Sequence, residues 1–589
     1  MPAGRWCETE LVIERSQALA ALSQDEFDVV VVGGGITGAG VALDAATRGY
    51  SVALVERADF ASGTSSRSSK LVHGGLRYLQ NFDLGLVREA LLERQLMVAL
   101  APHLVHPLPL VVPAFDGARP DRLVGVGLNL YDVMSVDRDR LRSRRGRRAR
   151  ADQRSAGEQG HQPSPAVEGA SWSPERHRVI SGEEVLELLP VFAGRSSIGR
   201  EPTSGYLFYD CQTDDVRLVL TVLGEAERFG AVCANRLNVT GLLERDGRTR
   251  GVRALDAESG AELEVRAANV INATGVWADQ LRPDELRDEA ELPRIRPSRG
   301  THLILRHEDL PLVGGAIVPA GNGRTIFALP WLGRTLVGTT DNDYEGDLEH
   351  VRPSTEDIDY LLQAVNDFFG VSLDTGHLAG AFAGVRPLIS TGDPKKSVDI
   401  SRKAELYETS SGMITITGGK LTTWRRMAKM TVDRLVERDA RDAPCRTHEI
   451  PLGQAIAPED LPRVEGVPAE SYPALAARYG DAAHQVLALA AESNPAHPEL
   501  AQPIVPGLPD LLAEVVLAAR KEQARSVGDV LLRRTRLGLL AARELGGVGG
   551  PINRVADVLA RELGWSSERR GGEIERFAQE ADAEGIMPV

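Results

Sequence analysis

The amino-acid sequence predicts a protein of the α/β class with three domains, one of which is assembled from separate stretches of chain. Three observations lead to this prediction. A β-branched run at residues 29–32 precedes a glycine turn and a helical pattern. Short strands with turn residues follow at residues 303–340. After residue 447 the composition changes to that of helical segments. These patterns are typical of a buried parallel strand, an antiparallel sheet and an all-helical domain. A chain of 589 residues is long enough for all three.

The most informative motif is a glycine turn between a strand and a helix, within residues 27–56. Gly33, Gly35 and Gly38 have G-x-G-x-x-G spacing, and Gly34 lies inside the turn. In a Rossmann-like unit the first glycine permits the tight turn and the second lets a diphosphate approach the backbone. The third lets the helix pack closely on the strand. The spacing therefore predicts the phosphate-binding turn of a dinucleotide site.

The start of the helix and the end of the second strand support the same prediction. The amides near Ile36 and Thr37 would face the diphosphate at the positive end of the helix dipole. Glu56 ends the second strand, where a carboxylate accepts hydrogen bonds from the adenosine ribose diol. A tight strand-to-helix turn without a ligand is the structural alternative. The strand, helix and acid in register favour the dinucleotide.

Bulk properties exclude several classes of protein. A net charge of −15 argues against a general nucleic-acid binder. The four cysteines are scattered without zinc-like spacing, which predicts reduced thiols and no metal site. Glu8, Glu10 and Glu14 stand where a secretory signal would need a basic start, and no apolar run is long enough to span a bilayer. We therefore expect a cytoplasmic protein whose membrane contact is peripheral.

The periodicity of the chain predicts its domain limits. Helical patterns occur at residues 81–100, 210–229, 355–369, 511–525 and 527–545. The predicted parts are an N-terminal lead-in at 1–26, a discontinuous nucleotide-binding domain at 27–110, 205–280 and 382–440, an antiparallel-sheet substrate domain at 111–204 and 281–381, and a helical C-terminal domain at 447–589.

An arginine-rich stretch interrupts the predicted substrate domain at about residues 138–173. Nine arginines lie between Arg138 and Arg154, and the stretch has almost no apolar residues to offset the entropy of ordering. We expect a disordered insertion. It could bind anionic lipid headgroups at about 1 kcal/mol per basic residue, or it could be a solvated loop. Nucleic-acid binding is a more distant alternative.

Two further glycine turns suggest a large dinucleotide. The strand at residues 268–272 ends in Ala273-Thr274-Gly275, and a later strand at 412–417 ends in Gly418-Gly419-Lys420 before another helix. Together with the first turn, these would enclose FAD more naturally than NAD.

Five long motifs stand out in the sequence: GGGITGAG at 33–40, TSSRSSKLVHGGLRYL at 64–79, NATGVWAD at 272–279, AGVRPL at 383–388 and GGKLTTWR at 418–425. Together they resemble the FAD-dependent glycerol-3-phosphate dehydrogenases, in the D-amino-acid-oxidase-like group of flavoproteins. The resemblance covers residues 27–430, with a weaker match, VLLRRTRL, at 530–537.

The resemblance implies that the nucleotide-binding domain holds FAD and that residues 64–79 contact the flavin. From composition alone, that segment could equally be a capped, solvated loop. Together with the glycine motif, the predicted FAD contacts are Gly33, Gly34, Gly35, Ile36, Thr37, Gly38, Glu56, Thr64, Ser65, Ser69, Lys70, His73, Gly74, Gly75, Ala273, Gly275, Gly419, Lys420, Leu421 and Thr422.

A phosphorylated substrate requires cations, preferably arginines that bind a dianion through two hydrogen bonds. Arg77, Arg386, Arg402 and Lys420 lie in or beside the matching motifs, and the resemblance implies that they converge on substrate. Taken singly, each is more typical of a surface charge or a structural ion pair.

Oxidation of a secondary alcohol also needs a base with a suitable pKa. The resemblance places His302 at this position, and His73 in the flavin wall. It implies that hydride passes from C2 of sn-glycerol 3-phosphate to N5 of FAD, giving dihydroxyacetone phosphate.

The resemblance leaves the electron acceptor open. We expect membrane quinone, with the protein held on the inner face of the cell membrane through anionic lipid. An oxygen-dependent oxidase that releases hydrogen peroxide is one alternative, and a non-catalytic flavin-binding scaffold is another. A homodimer is also possible.

Overall fold

A computed structural model describes residues 14–75, 84–117, 122–135, 176–194, 201–281, 294–321, 323–390, 404–492, 496–547 and 549–586. The strands are β1 Glu26–Val32, β2 Val52–Val55, β3 Leu71–Val72, β4 His106–Phe115, β5 Arg178–Ser181, β6 Pro202–Gln212, β7 Val232–Ala234, β8 Leu237–Arg245, β9 Arg248–Asp256, β10 Glu262–Asn272, β11 Arg294–Arg306, β12 Gly315–Pro319, β13 Thr325–Trp331, β14 Arg334–Gly338, β15 Asn342–Asp343, β16 Leu378–Ser390, β17 Ala404–Glu408 and β18 Ile414–Gly418. The helices are α1 Arg15–Gln24, α2 Ile36–Thr47, α3 Leu84–Leu100, α4 Arg122–Ser135, α5 Gly182–Leu188, α6 Asp215–Arg228, α7 Thr355–Phe369, α8 Trp424–Arg438, α9 Ser471–Tyr479, α10 Ala483–Glu492, α11 Leu512–Lys521, α12 Leu537–Leu540, α13 Pro551–Leu563 and α14 Ser567–Ala583.

The first sheet has a parallel centre in the order β18-β10-β1-β2-β7. Val29 and Val31 of β1 pack into one hydrophobic cluster with α2, α6 and α8, whereas Val30 and Val32 pack into a second cluster on the opposite face. Because successive side chains of a strand point to opposite faces, the valine run is buried on both sides. The carboxyl ends of the parallel strands therefore meet at one edge, where ligands bind in such sheets.

The second sheet is mainly antiparallel, in the order β15-β11-β14-β13-β12-β4-β6-β3. β16 pairs with β11, and β5 pairs with β6. α7 packs on this sheet through its apolar stripe, and Ser354 caps the helix by accepting a hydrogen bond from the Asp357 amide at 3.2 Å. The structure gives α7 the bounds that its periodicity predicts.

The C-terminal region is helical and packs on the second sheet. Its hydrophobic cluster contains Ile304, Trp331 and Phe382 from that sheet. Between α11 and α12, a π-helix at Asp529–Arg534 directs several arginines toward the first domain. The predicted fold class, with a parallel-sheet domain, an antiparallel-sheet domain and a helical C-terminal domain, is confirmed.

The sheets divide the chain differently from the predicted domain limits. β4 begins at His106, and β6 and β16 belong to the second sheet, although residues 205–212 and 382–390 were predicted in the nucleotide-binding domain. An apolar pattern identifies a strand but not the sheet that it joins. The arginine-rich insertion lies outside the described residues, as do residues 1–13 of the lead-in. In the described ranges, no helix is long and apolar enough to cross a membrane.

Candidate active site

One cavity of about 730 Å³ lies at the carboxyl edge of the first sheet and is lined by all three domains. We call the part bounded by the first glycine turn and Glu56 the nucleotide end. We call the part bounded by His302, Arg386 and Lys420 the substrate end. The other predicted residues on its wall are Gly33, Gly35, Ile36, Thr37, Thr64, Ser65, Ser69, His73, Ala273, Gly275, Gly419, Leu421 and Thr422.

The first glycine turn leaves no room for side chains. Gly33 has φ +113°, and a Cβ there would lie 2.6 Å from the carbonyl oxygen of Ala273. A Cβ on Gly38 would lie 1.9 Å from the Gly33 carbonyl oxygen, so this glycine brings α2 onto β1. The Ile36 amide at the start of α2 donates to Ser65 Oγ at 2.9 Å. A helix start with adjacent bare backbone fits a diphosphate.

Glu56 is held rigidly at the nucleotide end. Its carboxylate accepts hydrogen bonds from the amides of Gly34, at 2.7 Å, and Ala58, at 2.9 Å. Burial raises the pKa of Glu56, while these two hydrogen bonds oppose the rise. Gly34 is thus part of the support for Glu56 and is not among the residues that line the cavity.

The predicted flavin segment runs along the cavity and is tied to other elements. Thr64 Oγ1 donates to the carbonyl oxygen of Val385 at 2.6 Å, and the His73 amide donates to Thr422 Oγ1 at 3.1 Å. Gly74 lies behind this wall, where its amide donates to the Tyr131 hydroxyl at 2.9 Å. Gly75 has φ +74° and ends the described part of the segment.

Lys70 departs from its predicted position and does not line the cavity. Its side chain is fully buried, and Nζ donates to Asp215 Oδ2 at 2.7 Å and to the Ser66 carbonyl oxygen at 2.6 Å. Arg536 of the C-terminal domain donates to the same two residues. Burial, followed by the charge of Arg536, lowers the pKa of Lys70 to about 7, while Asp215 opposes this change. The resemblance identified residues 64–79 as the flavin segment, but it could not reveal which of their side chains face the cavity and which are buried behind it.

The two later glycine turns complete the wall. Gly275 has φ +61°, and Thr417 Oγ1 donates to its carbonyl oxygen at 3.1 Å. Gly419 has φ +72°, and a Cβ there would lie 2.3 Å from Sδ of Met427 in α8. Lys420 follows in extended backbone and lines the cavity beside Leu421. Turns after β10 and β18 therefore meet the first turn at one edge, as the prediction of FAD requires.

His302 lies on β11 at the substrate end. Its ring stacks on Phe382 at 4.8 Å between centroids, and Nε2 is 2.9 Å from Ser69 Oγ. Nδ1 is buried and has no hydrogen-bond partner among the described residues. Burial, with the nearby charges of Arg386 and Lys70, lowers the pKa of His302 well below its ordinary value. The imidazole is therefore neutral and can accept a proton.

Of the three arginines predicted to bind substrate, Arg386 is the one whose position the structure describes. Its Nη2 donates to Thr339 Oγ1 at 3.0 Å and to the Thr340 carbonyl oxygen at 3.1 Å, and Nη1 lies 3.5 Å from Asp341 Oδ1. A Cβ on Gly300 would lie 2.3 Å from Arg386 Nη2 and 2.6 Å from Thr339 Oγ1, so glycine leaves room for this contact. Arg77 and Arg402 lie outside the described residues.

Sequence patterns did not reveal the residues that hold His302 and Arg386 in place. Phe382 supports the His302 ring, and residues 339–341 hold Arg386. A Cβ on Gly338 would lie 2.3 Å from the His302 ring. The run Gly338-Thr339-Thr340-Asp341 at the end of a predicted strand was the available signal, because small and polar residues there can turn toward a site.

A Rossmann-like domain that shares one cavity with an antiparallel sheet is suited to hold a dinucleotide cofactor beside a substrate, and the bare glycine turns and Glu56 fit FAD, the cofactor of the flavin-dependent oxidoreductases. Residues 28–434 match the family model for FAD dependent oxidoreductases, and residues 418–570 match the model for the C-terminal domain of alpha-glycerophosphate oxidase.

Curated relatives narrow the family. The chain is 35% identical over 587 residues to a glycerol-3-phosphate dehydrogenase of Mycobacterium leprae, covering 97% of this chain and 91% of that protein. It is 35% identical over 602 residues to a mitochondrial glycerol-3-phosphate dehydrogenase of Mesocricetus auratus, covering 97% and 76%. The crystal structure of the Bacillus halodurans glycerol-3-phosphate dehydrogenase complexed with FAD is 28% identical, has a TM-score of 0.73 and covers 97% of both chains. The chain belongs to the FAD-dependent glycerol-3-phosphate dehydrogenase family.

Proposed function

We propose that this protein oxidises sn-glycerol 3-phosphate to dihydroxyacetone phosphate. The observation that carries the proposal is the meeting of a neutral histidine and a fixed arginine in the cavity that the FAD-binding turns enclose. The named activity of the relatives supports it.

Each residue at the substrate end has a part in this reaction. Arg386 is oriented by residues 339–341 and would bind the phosphate dianion, assisted by Lys420. His302 would accept the hydroxyl proton, because its ring is neutral and Ser69 and Phe382 fix its orientation. FAD, when bound, supplies the acceptor for the hydride that leaves C2.

Anaerobic reduction tests the proposal directly. Protein with confirmed FAD is mixed with glycerol 3-phosphate without oxygen, and the flavin absorbance is followed. We expect rapid bleaching with glycerol 3-phosphate and little with glycerol, which lacks the dianion. FAD-loaded protein that glycerol 3-phosphate does not bleach would contradict the proposed activity and would favour the scaffold.

We further propose membrane quinone as the electron acceptor and a peripheral position on the inner face of the cell membrane. An exposed apolar stripe on α4 supports this: Val126, Leu130 and Val133 are 67%, 39% and 59% exposed and lie on one helix face. Tyr131, on the same helix, receives the hydrogen bond of Gly74 in the flavin segment. The nine arginines between Arg138 and Arg154 follow α4 in the sequence and would attract anionic lipid.

Two assays separate the alternatives. Substrate-dependent reduction of a soluble quinone with little peroxide favours the dehydrogenase, whereas rapid peroxide formation without quinone favours the oxidase. We expect co-sedimentation with anionic vesicles to fall when Val126, Leu130 and Val133 are replaced by serine, or when residues 138–169 are deleted. Val313→Ser with Leu332→Ser is the matched control, since these residues are 59% and 46% exposed elsewhere. Unchanged sedimentation of both test variants would count against the lipid contact. The homodimer stays a prediction.

A further inference from the structure

α14, the last helix among the described residues, forms part of the cofactor cavity. Arg576, Gln579, Glu580 and Ala583 of α14 line it, and their spacing of three and four residues places them on one helix face. Phe577 is buried in the C-terminal core, and Ile574 and Ala581 are partly buried against it. Ion pairs to the other domains add to these apolar contacts.

One set of these bonds connects α14 to the nucleotide end. Arg533 of the C-terminal domain donates to Asp59 Oδ2 at 2.6 Å and lies 3.6 Å from Glu580 of α14. Asp59 is three residues beyond Glu56, whose carbonyl oxygen accepts from the Leu237 amide at 2.8 Å. α14 therefore lies beside the part of the cavity that would hold the adenosine.

A second set connects the C-terminal end of α14 to the other two domains. Glu584 pairs with Arg67 of the flavin segment at 2.5 Å and lies 3.9 Å from His350 of the substrate domain. The neighbouring Glu349 pairs with Arg57 at 2.7 Å. All five residues line the cavity: Arg57, Arg67, Glu349, His350 and Glu584. The ion pairs thus form a bridge beside the nucleotide end.

We propose that α14 is a wall of the FAD site, that it covers the adenosine end, and that FAD binds and leaves only when α14 is released from Arg67, His350 and Arg533. The Arg576 guanidinium and the Gln579 amide are the groups on α14 that would contact the adenosine. The C-terminal domain thereby retains the cofactor, a task distinct from hydride transfer at the other end.

Hydrogen exchange of the parent protein, with FAD and after its removal, tests the wall directly. FAD should slow exchange of the amides at residues 576–583 at least about tenfold and leave α10, which lies outside the cavity lining, unchanged. Equal exchange of residues 576–583 in the two forms overturns the proposal, whatever the variants do.

FAD dissociation tests the release step. Glu584→Gln removes the charge that pairs with Arg67 and His350, and should speed loss of FAD about tenfold. His350→Gln leaves Arg67 untouched and should speed it less. Asp557→Asn is the matched control, because it removes a carboxylate that pairs with Arg570 of α14 away from the cavity. Dissociation from a folded His350→Gln protein and a folded Glu584→Gln protein at the rate of the control would overturn the proposed release.

Discussion

The two ends of the cavity are built from different parts of the chain. The nucleotide end is built mainly from one short stretch, through the backbone of the glycine turn at Gly33 and the carboxylate of Glu56, and α14 lies beside it. The substrate end uses side chains from β11, β16 and the turn after β18. His302 pairs with Phe382 across β11 and β16, so the register of these strands sets the position of the base. A local motif encodes the glycine turn and Glu56, whereas long-range strand pairing encodes the substrate end.

Replacing the proposed base should have the largest effect. We expect His302→Asn to slow anaerobic flavin reduction about 10²- to 10⁴-fold, because asparagine accepts no proton. Binding of glycerol 3-phosphate should change much less. Stopped-flow reduction at several substrate concentrations separates the two. His307→Asn, an exposed histidine beyond the end of β11, is the control. A reduction rate within about threefold of the parent would remove His302 from the mechanism.

Replacing Arg386 tests binding at the same end. We expect Arg386→Gln to weaken substrate binding by about 2 to 5 kcal/mol, since the phosphate loses a charged partner in a partly buried site. Arg386→Lys should recover part of this loss, because lysine keeps the charge but not the bidentate geometry. Spectral titration of the oxidised flavin with inorganic phosphate, which carries the dianion but no hydride, measures the affinity.

Arg296→Gln, which removes an arginine from the same strand as His302, is the control for Arg386. If the Arg386 and Arg296 variants bound substrate equally well, the phosphate would have to lie elsewhere in the cavity.

The difference between the two ends of the cavity also explains which site residues could be predicted from the sequence. The glycine spacing and Glu56 located the nucleotide end because each residue acts through its own backbone or its place at a strand end. The roles of His302 and Arg386 were predicted only from the family resemblance, because the sequence around each residue does not distinguish it from a structural histidine or arginine. Their supports, Phe382 and Thr339, depend on strand pairing. Lys70 was misplaced because its ionic partner Asp215 is distant in the sequence and is shared with Arg536 of another domain.

A methyl group in the first glycine turn tests the packing at the nucleotide end. Gly38→Ala places a methyl group against the Gly33 carbonyl oxygen, and we expect it to cost about 1 to 3 kcal/mol of unfolding free energy and to weaken FAD binding. Denaturant unfolding and flavin fluorescence measure both effects. Gly127→Ala in α4 has open space around its Cβ and should be neutral or stabilising by up to about 1 kcal/mol. Equal stability of the two variants would contradict the close packing of α2 on β1.

The pH dependence of flavin reduction should be the smallest effect. It tests whether the charge of Arg386 lowers the pKa of His302. Burial, with Arg386 and Lys70, lowers the pKa of His302, so the neutral form persists at pH values where a free histidine is protonated. At saturating substrate, the rate should change less than about twofold between pH 8 and 6.5, and fall only when the pH drops through the lowered pKa. Because Arg386 contributes to that lowering, Arg386→Gln should move the acidic fall to higher pH. A parent rate that already halves near pH 6.5, with no shift in Arg386→Gln, would mean that another group titrates.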